Sequence, residues 1–256
     1  MHFINVGQGD STLIVTEDKV VLIDSGETGY DGVVRDYITS LGITKLDIVI
    51  GSHPHSDHIG SMSKVVDGLE VDEIILPKMT RDMIPATECY TKLLRSADSK
   101  KAKVRFVKGY ENISLSEDCN IEILAPVSDY DDLNNYSIVC KLIHEENSFL
   151  FTGDIETSAE YDIVESGADL SSDVLKVPHH GSATSSSYKF LKAVRPTYAV
   201  FHVGSPNDYG HPNDKIYERY EEFDCKRYRT DVHGNIVFKS DGTKISIETE
   251  NKNGHT

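Results

Sequence analysis

The segment His53-Pro54-His55-Ser56-Asp57-His58 follows directly on an apolar stretch, Leu46-Asp47-Ile48-Val49-Ile50. That junction constrains the chain more than any other feature. Side chains two apart in an extended segment point to the same side, which sets His53 and His55 to act together. Asp57 and His58 fall where a helix is expected to begin. Imidazole and carboxylate groups in such a knot suit zinc, manganese or iron. The plain alternative is a polar loop with Asp57 as a helix cap. Three histidines and an aspartate within six residues weigh against it.

A metal centre needs ligands from more than one loop. Phe149-Leu150-Phe151-Thr152-Gly153-Asp154 ends an apolar strand in a glycine and a carboxylate. Val174-Leu175-Lys176-Val177-Pro178-His179-His180-Gly181-Ser182 ends another in adjacent histidines, and Gly181 permits close backbone approach. Val21-Leu22-Ile23-Asp24-Ser25-Gly26 ends a third, where Asp24 is suited to orient a ligand histidine. Asp10 either does the same or caps the turn after Gly7 and Gly9. Gly181, Ser182, Thr184 and Ser185 offer N–H and hydroxyl groups for a phosphate, or an N-cap for the next helix.

Around these motifs the pattern predicts strands near 2–6, 11–16, 19–24, 46–50, 72–76 and 103–107, with helices near 30–41, from 58, and near 87–96. It continues with strands near 120–124, 137–143, 148–152, 173–177, 197–203, 235–239 and 244–249, and helices near 156–166, 184–193 and 213–223. Two halves of similar rhythm imply two sheets packed face to face with helices outside, an α/β architecture. One domain over 1–250 is expected, with a frayed polar tail over 251–256. Four scattered cysteines form no disulfide framework. No apolar run approaches the ~20 residues needed to span a bilayer, and no leader is evident. The expectation is a soluble chain of unknown compartment, either cytoplasmic or secreted with its leader removed. There is no Gly-x-Ser-x-Gly elbow and no P-loop, which disfavours serine hydrolases and P-loop phosphate transfer.

The HPHSDH knot, the FTGD strand end and the PHHGS loop resemble the metallo-β-lactamase superfamily. Val6-Gly7-Gln8-Gly9-Asp10-Ser11, Tyr209-Gly210-His211-Pro212 and Thr230-Asp231-Val232-His233-Gly234 are similar more narrowly to the hydrolase domain of the ComEC DNA-uptake family. The teichoic acid phosphorylcholine esterases are a second relative. The resemblance spans about 2–240. It implies an αββα sandwich of two mixed sheets, with a one- or two-metal site at one edge. It further implies His53 and His55 on a first metal, Asp57 and His58 on a second, and Asp154 bridging both. One of His179 and His180 completes the second metal while the other faces substrate, with His179 taken as the ligand. Asp57, His180 and His211 are the catalytic candidates. His211 is either a phosphate contact or proton donor, or a hydrogen-bonded loop histidine. Many superfamily members have a further histidine ligand before the bridging aspartate. Here only His144 lies in that interval, in a distant hairpin turn. The segment Asn134-Asn135-Tyr136-Ser137 takes its place, so water or an Asn oxygen, with Asn135 as candidate, is expected on the first metal.

The implied function is a metal-dependent hydrolase, first a phosphodiesterase or nuclease acting through a metal-activated hydroxide at a site holding zinc, manganese or iron. Its partner would be a phosphodiester, single-stranded nucleic acid included, with no obvious protein partner. The alternatives are a phosphorylcholine-esterase type of hydrolase, a di-iron oxidoreductase and a non-catalytic binding protein. Forty-two acidic against 26 basic residues leave a net charge of −16. Such a chain repels long duplexes, which confines the substrate to short, single-stranded or small phosphodiesters. The competence role itself does not transfer with the domain.

Overall fold

Period-two alternation sorts the strand side chains between an inner core and two outer ones. The computed structural model describes residues 1–251, and the rest of the expected tail, 252–256, lies outside the described residues. The first half holds β1 (His2–Phe3), β2 (Thr12–Val15), β3 (Val20–Ile23), α1 (Asp31–Ser40), β4 (Lys45–Ile50), α2 (Ser56–Ile59), α3 (Met62–Gly68), β5 (Glu70–Pro77), α4 (Glu88–Lys100) and β6 (Lys103–Val107). The second holds β7 (Glu111–Ser114), β8 (Cys119–Ala125), β9 (Val139–His144), β10 (Asn147–Phe151), α5 (Thr157–Glu165), β11 (Val174–Lys176), α6 (Tyr188–Val194), β12 (Tyr198–Phe201), α7 (Asp214–Glu222) and β13 (Lys226–Arg229). Then α8 (Thr230–His233) leads to the hairpin β14 (Ile236–Ser240) and β15 (Ile245–Thr249).

One sheet has the order β15-β14-β1-β2-β3-β4-β5-β6, the other β13-β12-β11-β10-β9-β8-β7. Both are mixed. β3 to β6 run parallel, as do β10 to β13, while the remaining neighbours are antiparallel. β14 pairs with β1, so the last hairpin closes on the first strand.

Ile48 and Ile50 of β4 meet Phe149 and Phe151 of β10 in the core between the sheets. Leu46 and Val49 turn the other way, onto Val34, Ile38, Met62 and Leu93 of the helices outside. On the second sheet Leu150, Leu175 and Ala199 pack likewise against Ile163, Phe190 and Tyr220. The layers therefore run helix, sheet, sheet, helix, as expected. Strands covered on both faces read as continuous apolar runs, which is why β3, β4 and β10 stand out in the sequence.

Some elements differ from expectation. The helix expected from 58 is two, α2 and α3, broken at Gly60 and Ser61. At Gly60 a side chain would collide with the carbonyl of Ser56 and the amide of Thr28, so only glycine fits at this junction. α6 begins at Tyr188 rather than 184, because the Ser187 hydroxyl caps it by accepting the Phe190 N–H. The edge strands β7 and β13 and the short helix α8 were not expected. Edge strands pair on one side only and carry polar residues, so neither has an apolar signature.

Phe149 is fully buried between the sheets. Phe149→Ala should cost about 3–5 kcal/mol. Chemical denaturation would measure this, and a loss below ~1 kcal/mol would contradict the inner core described here.

Candidate metal centre

The carboxyl ends of parallel strands open on one edge of the sandwich, and five of them deliver the polar loops. Asp24 follows β3, His53 to His58 follow β4, Asp154 follows β10, His179 and His180 follow β11, and His202 follows β12. Asp10 arrives from the β1–β2 loop. Its backbone N–H donates to the Asp57 carbonyl at 3.1 Å. Gly9, at φ +139°, makes this possible, since a side chain there would strike that same carbonyl oxygen.

Asp57, His58, Asp154 and His180 each offer one donor atom, and these atoms lie within 4.8 Å of one another. His58 is oriented by Asp24, whose Oδ2 accepts its Nδ1–H at 2.8 Å. Asp24 is itself fixed by the Ser52 N–H, 2.8 Å from its Oδ1. His58 Nε2 is left buried without a hydrogen-bond partner, 3.1 Å from Asp154 Oδ2. His180 is oriented in the same manner. Its Nδ1–H donates to the His202 carbonyl at 2.8 Å, and its Nε2 lies 3.3 Å from Asp57 Oδ2 and 3.4 Å from Asp154 Oδ2. A histidine with one nitrogen hydrogen-bonded behind it and the other aimed at carboxylates is the usual support of a metal ligand. His53 and His55 also face each other, with Nε2 and Nδ1 at 3.0 Å, and Ser52 Oγ sits 3.1 Å from His53 Nδ1.

The order within the histidine pair differs from the expectation that His179 is the ligand. His180 is the member that joins Asp57, His58 and Asp154, whereas His179 turns its Nδ1 to Glu156 Oε1 at 3.3 Å and keeps its Nε2 3.8 Å from Asp154. Both have left-handed backbones, φ 49° and 53°, and so does Asp24 at 57°. Such conformations are costly for residues with side chains, and they persist where surrounding contacts hold them. Here the His179 N–H donates to the Gly153 carbonyl, and the His179 carbonyl accepts from the Ser182 N–H at 2.8 Å.

The charges are balanced tightly. Burial opposes a charged His180, but Asp154, Asp57 and Asp10 outweigh it and push it up to about 10. Burial likewise opposes a charged His58, and Asp154, Asp24 and Asp57 raise it well above its ordinary value. Burial would raise Asp57, yet His58 and His180 hold it below the usual carboxylate range. The same opposition, with Lys176 added, holds Asp154 low. The carboxylates thus demand positive charge at the two donor nitrogens, which a divalent cation supplies in place of two protons. The unpartnered His58 Nε2 and this charge deficit fit a metal ion.

Two expected contacts are not formed. Asn135 Oδ1 accepts the N–H groups of Glu156 and Ala159, and its Nδ2 donates to Asp132 at 2.6 Å. It therefore holds the start of α5 and cannot serve a metal. Asn134, one residue earlier, lines the cleft above the site, and its Oδ1 is buried without a partner. Ser182 Oγ is engaged with Thr184, accepting its N–H at 3.3 Å, which makes it a loop brace rather than a phosphate contact. His211 does reach the cleft, with its ring stacked 6.1 Å from that of His180. Burial and the neighbouring His180 and His179 lower it to about 4, so it is neutral at pH 7. Asp10 lies 3.2 Å from His202 Nδ1 and 3.4 Å from His180 Nδ1.

Lys176 was given no role from the sequence. Its side chain is 2% exposed, with Nζ 2.5 Å from Asp10 Oδ2, 2.8 Å from the Gly153 carbonyl and 3.5 Å from Asp154 Oδ1. The available signal was a lysine inside an otherwise apolar strand, a type almost never buried unless paired.

A family profile described as the metallo-beta-lactamase superfamily matches residues 4–204. Over 258 residues the chain is 29% identical to ComE operon protein 3 of Bacillus subtilis (strain 168), covering 93% of this chain and 33% of that protein. Over 243 residues it is 30% identical to competence protein ComA of Neisseria gonorrhoeae, covering 91% of this chain and 31% of that protein. The chain thus spans about a third of the length of these curated relatives. Among solved structures it is similar to CmlA, a diiron β-hydroxylase from Streptomyces venezuelae, with TM-score 0.58 and 15% identity over 89% of this chain and 52% of that one. It is also similar to the metallo-beta-lactamase fold protein YhfI from Bacillus subtilis, with TM-score 0.57 and 12% identity over 89% of this chain and 94% of that one. At such identity these two likenesses show the fold alone. Among the described residues no helix is long and apolar enough to cross a membrane.

Metal binding must displace protons from His58 and His180. Affinity should therefore rise with pH until about 10, where His180 deprotonates by itself. Calorimetry in buffers of different ionisation heat would count the released protons, and binding without proton release would contradict this charge balance. Lys176→Met should strip the buried Asp10 of its nearest cation, leaving only His202 and His180 beside it, and should destabilise the fold by about 3–5 kcal/mol in chemical denaturation. An unchanged midpoint would show that the ion pair is dispensable.

Proposed function

The chain belongs to the metallo-beta-lactamase superfamily, and from that premise we propose that it is a metal-dependent phosphodiesterase acting on single-stranded nucleic acid or a similarly slender phosphodiester. The observation that carries the proposal is the convergence of Asp57, His58, Asp154 and His180, of which Asp57, Asp154 and His180 line an open cleft of about 320 Å³. The motif resemblance to the ComEC DNA-uptake family supports nucleic acid as the substrate class.

His53 and His55 would hold one ion, with Asn134 Oδ1 or water beside them. Asp57, His58 and His180 would hold a second. Asp154 would serve both; its Oδ2 faces His58, His179 and His180, while Lys176 occupies the side of Oδ1. When bound, divalent ions supply positive charge at a phosphoryl group and acidify water. Zinc suits this mixture of imidazole and carboxylate donors, and manganese or iron remains open to the same set.

The protein's own residues have separate tasks. Asp24 and the His202 carbonyl accept the Nδ1–H of His58 and His180, so that the Nε2 of each is aimed inward. Lys176 and Asp10 hold the backbone of Gly153 and the far side of His180 in place. His179 and His211 stand at the cleft with rings 5.6 Å apart, where neutral imidazoles can donate hydrogen bonds to a phosphate. Because His211 is neutral, it suits the role of phosphate contact better than that of proton donor.

Metal analysis of chelator-free protein should find one or two divalent ions per chain. Asp57→Ala and Asp154→Ala should each lower cleavage of a single-stranded oligonucleotide by at least ~100-fold, beyond the usual effect of losing a ligand's supporting partner. A panel of single-stranded DNA, RNA and glycerophosphocholine separates the substrate classes. Unchanged cleavage in both variants would overturn the proposal. So would iron-dependent oxygen consumption without hydrolysis of any phosphodiester, which would favour a di-iron oxidoreductase.

A further inference from the structure

The cleft over the metal centre is poor in the charge that usually holds a nucleic acid. Among the described residues that line it there is no lysine or arginine, and the whole chain carries −16. Bound ions would attract one phosphate. They would not distinguish a nucleic-acid strand from any other phosphodiester, nor would they hold the nucleotides on either side. Something uncharged must do so.

Tyr209 is placed for that task. It lines the same cleft and is 72% exposed, which is unusual for a large aromatic side chain. Its ring is stacked on that of His211, with centroids 5.7 Å apart and planes inclined by 22°. His211 is in turn stacked on His180, at 6.1 Å and 27°. Three roughly parallel rings thus run from solvent to the donor cluster.

The tyrosine is exposed, yet its backbone is held. Asn207 spans the loop beneath it. Its Nδ2 donates to the carbonyls of Gly204 and His211 at 2.8 and 2.7 Å, and its Oδ1 accepts the N–H groups of Tyr209 and His211 at 3.2 and 3.0 Å. Gly204 is tied onward by its N–H to Gln8 Oε1 at 3.2 Å, on the loop that carries Asp10. With its backbone fixed and one ring face on His211, the side chain has less freedom to lose when a flat ligand covers it, and such pre-organisation favours binding.

We propose that Tyr209 is a stacking platform for an unpaired nucleobase flanking the scissile phosphate, and that it selects single-stranded nucleic acid over other phosphodiesters at this site. The assignment rests on the phosphodiesterase function proposed above. Tyr209 stands two rings out from His180, so the base it receives belongs to a neighbouring nucleotide and not to the reacting one. A base paired in a duplex has no free face to offer. Stacking is tolerant of base identity, so the selection is for an unpaired strand and not for a sequence.

The test compares an oligothymidylate with an abasic deoxyribose-phosphate strand of equal length, both assayed with metal-loaded full chain. The two strands have the same backbone and charge and differ only in the bases. The wild-type protein should show a KM for the oligothymidylate roughly 5- to 100-fold below that for the abasic strand, the range expected of one stacked base. In Tyr209→Ala and Tyr209→Leu this ratio should fall towards one, whereas Tyr209→Phe should keep it. A wild-type ratio near one, or a ratio preserved in Tyr209→Leu, overturns the platform while leaving the phosphodiesterase function standing. Failure of the wild-type protein to cleave either strand overturns the platform together with single-stranded DNA as the substrate, and hydrolysis of glycerophosphocholine in the same preparation would show the phosphodiesterase function still standing.

Discussion

Negative charge buried at one edge of the sandwich is the constraint from which the rest follows. Asp10, Asp24 and Asp154 are nearly inaccessible, and Asp57 sits half-buried beside them. Carboxylates taken out of water must be paired, because their desolvation cost is otherwise prohibitive. His58, His180 and Lys176 carry the balancing charge in the protein alone. Two of these are histidines whose remaining nitrogen faces the carboxylates, and their protons are exchangeable for a cation. The third is a lysine that no metal replaces. The site is therefore built to trade protons for metal on one side while Lys176 keeps the other side fixed.

The fold serves this arrangement through strand direction. Parallel strands in both sheets end at the same edge, so five loops from separate parts of the chain reach one place without any long connection. The inner core of isoleucines and phenylalanines keeps the two sheets in register, and the ligands are carried on the last residues of strands that it anchors. Strained backbones at Asp24, His179 and His180 are tolerable there because several hydrogen bonds determine each of them. The acidity that first argued against a nucleic-acid partner is concentrated where cations would offset it, and the cleft above offers aromatic rings in place of a basic groove.

Much of this was legible beforehand. Apolar runs ending in Asp24, His53, Asp154 and His179 identified the strands whose tips carry the chemistry, since a strand covered on both faces must be apolar throughout and changes character only where it leaves the sheet. Edge strands β7 and β13 were missed because half their surface is wet. Adjacent residues of one type, such as Asn134 and Asn135, cannot be told apart by pattern. The structure separates them by direction, one bracing α5 and the other facing the cleft. His179 and His180 were ambiguous for the same reason, and the His202 carbonyl, from another strand, distinguishes them.

The architecture and the types of donor group were readable from the amino-acid order, because burial periodicity and ligand chemistry are local properties of adjacent residues. Three dimensions were needed to see which nitrogen of which histidine faces the carboxylates, that Lys176 pairs with Asp10, and that Tyr209, His211 and His180 form one stack. Each of these depends on groups far apart in the chain meeting at fixed distances, and that meeting is set by the packing of two sheets rather than by any single segment.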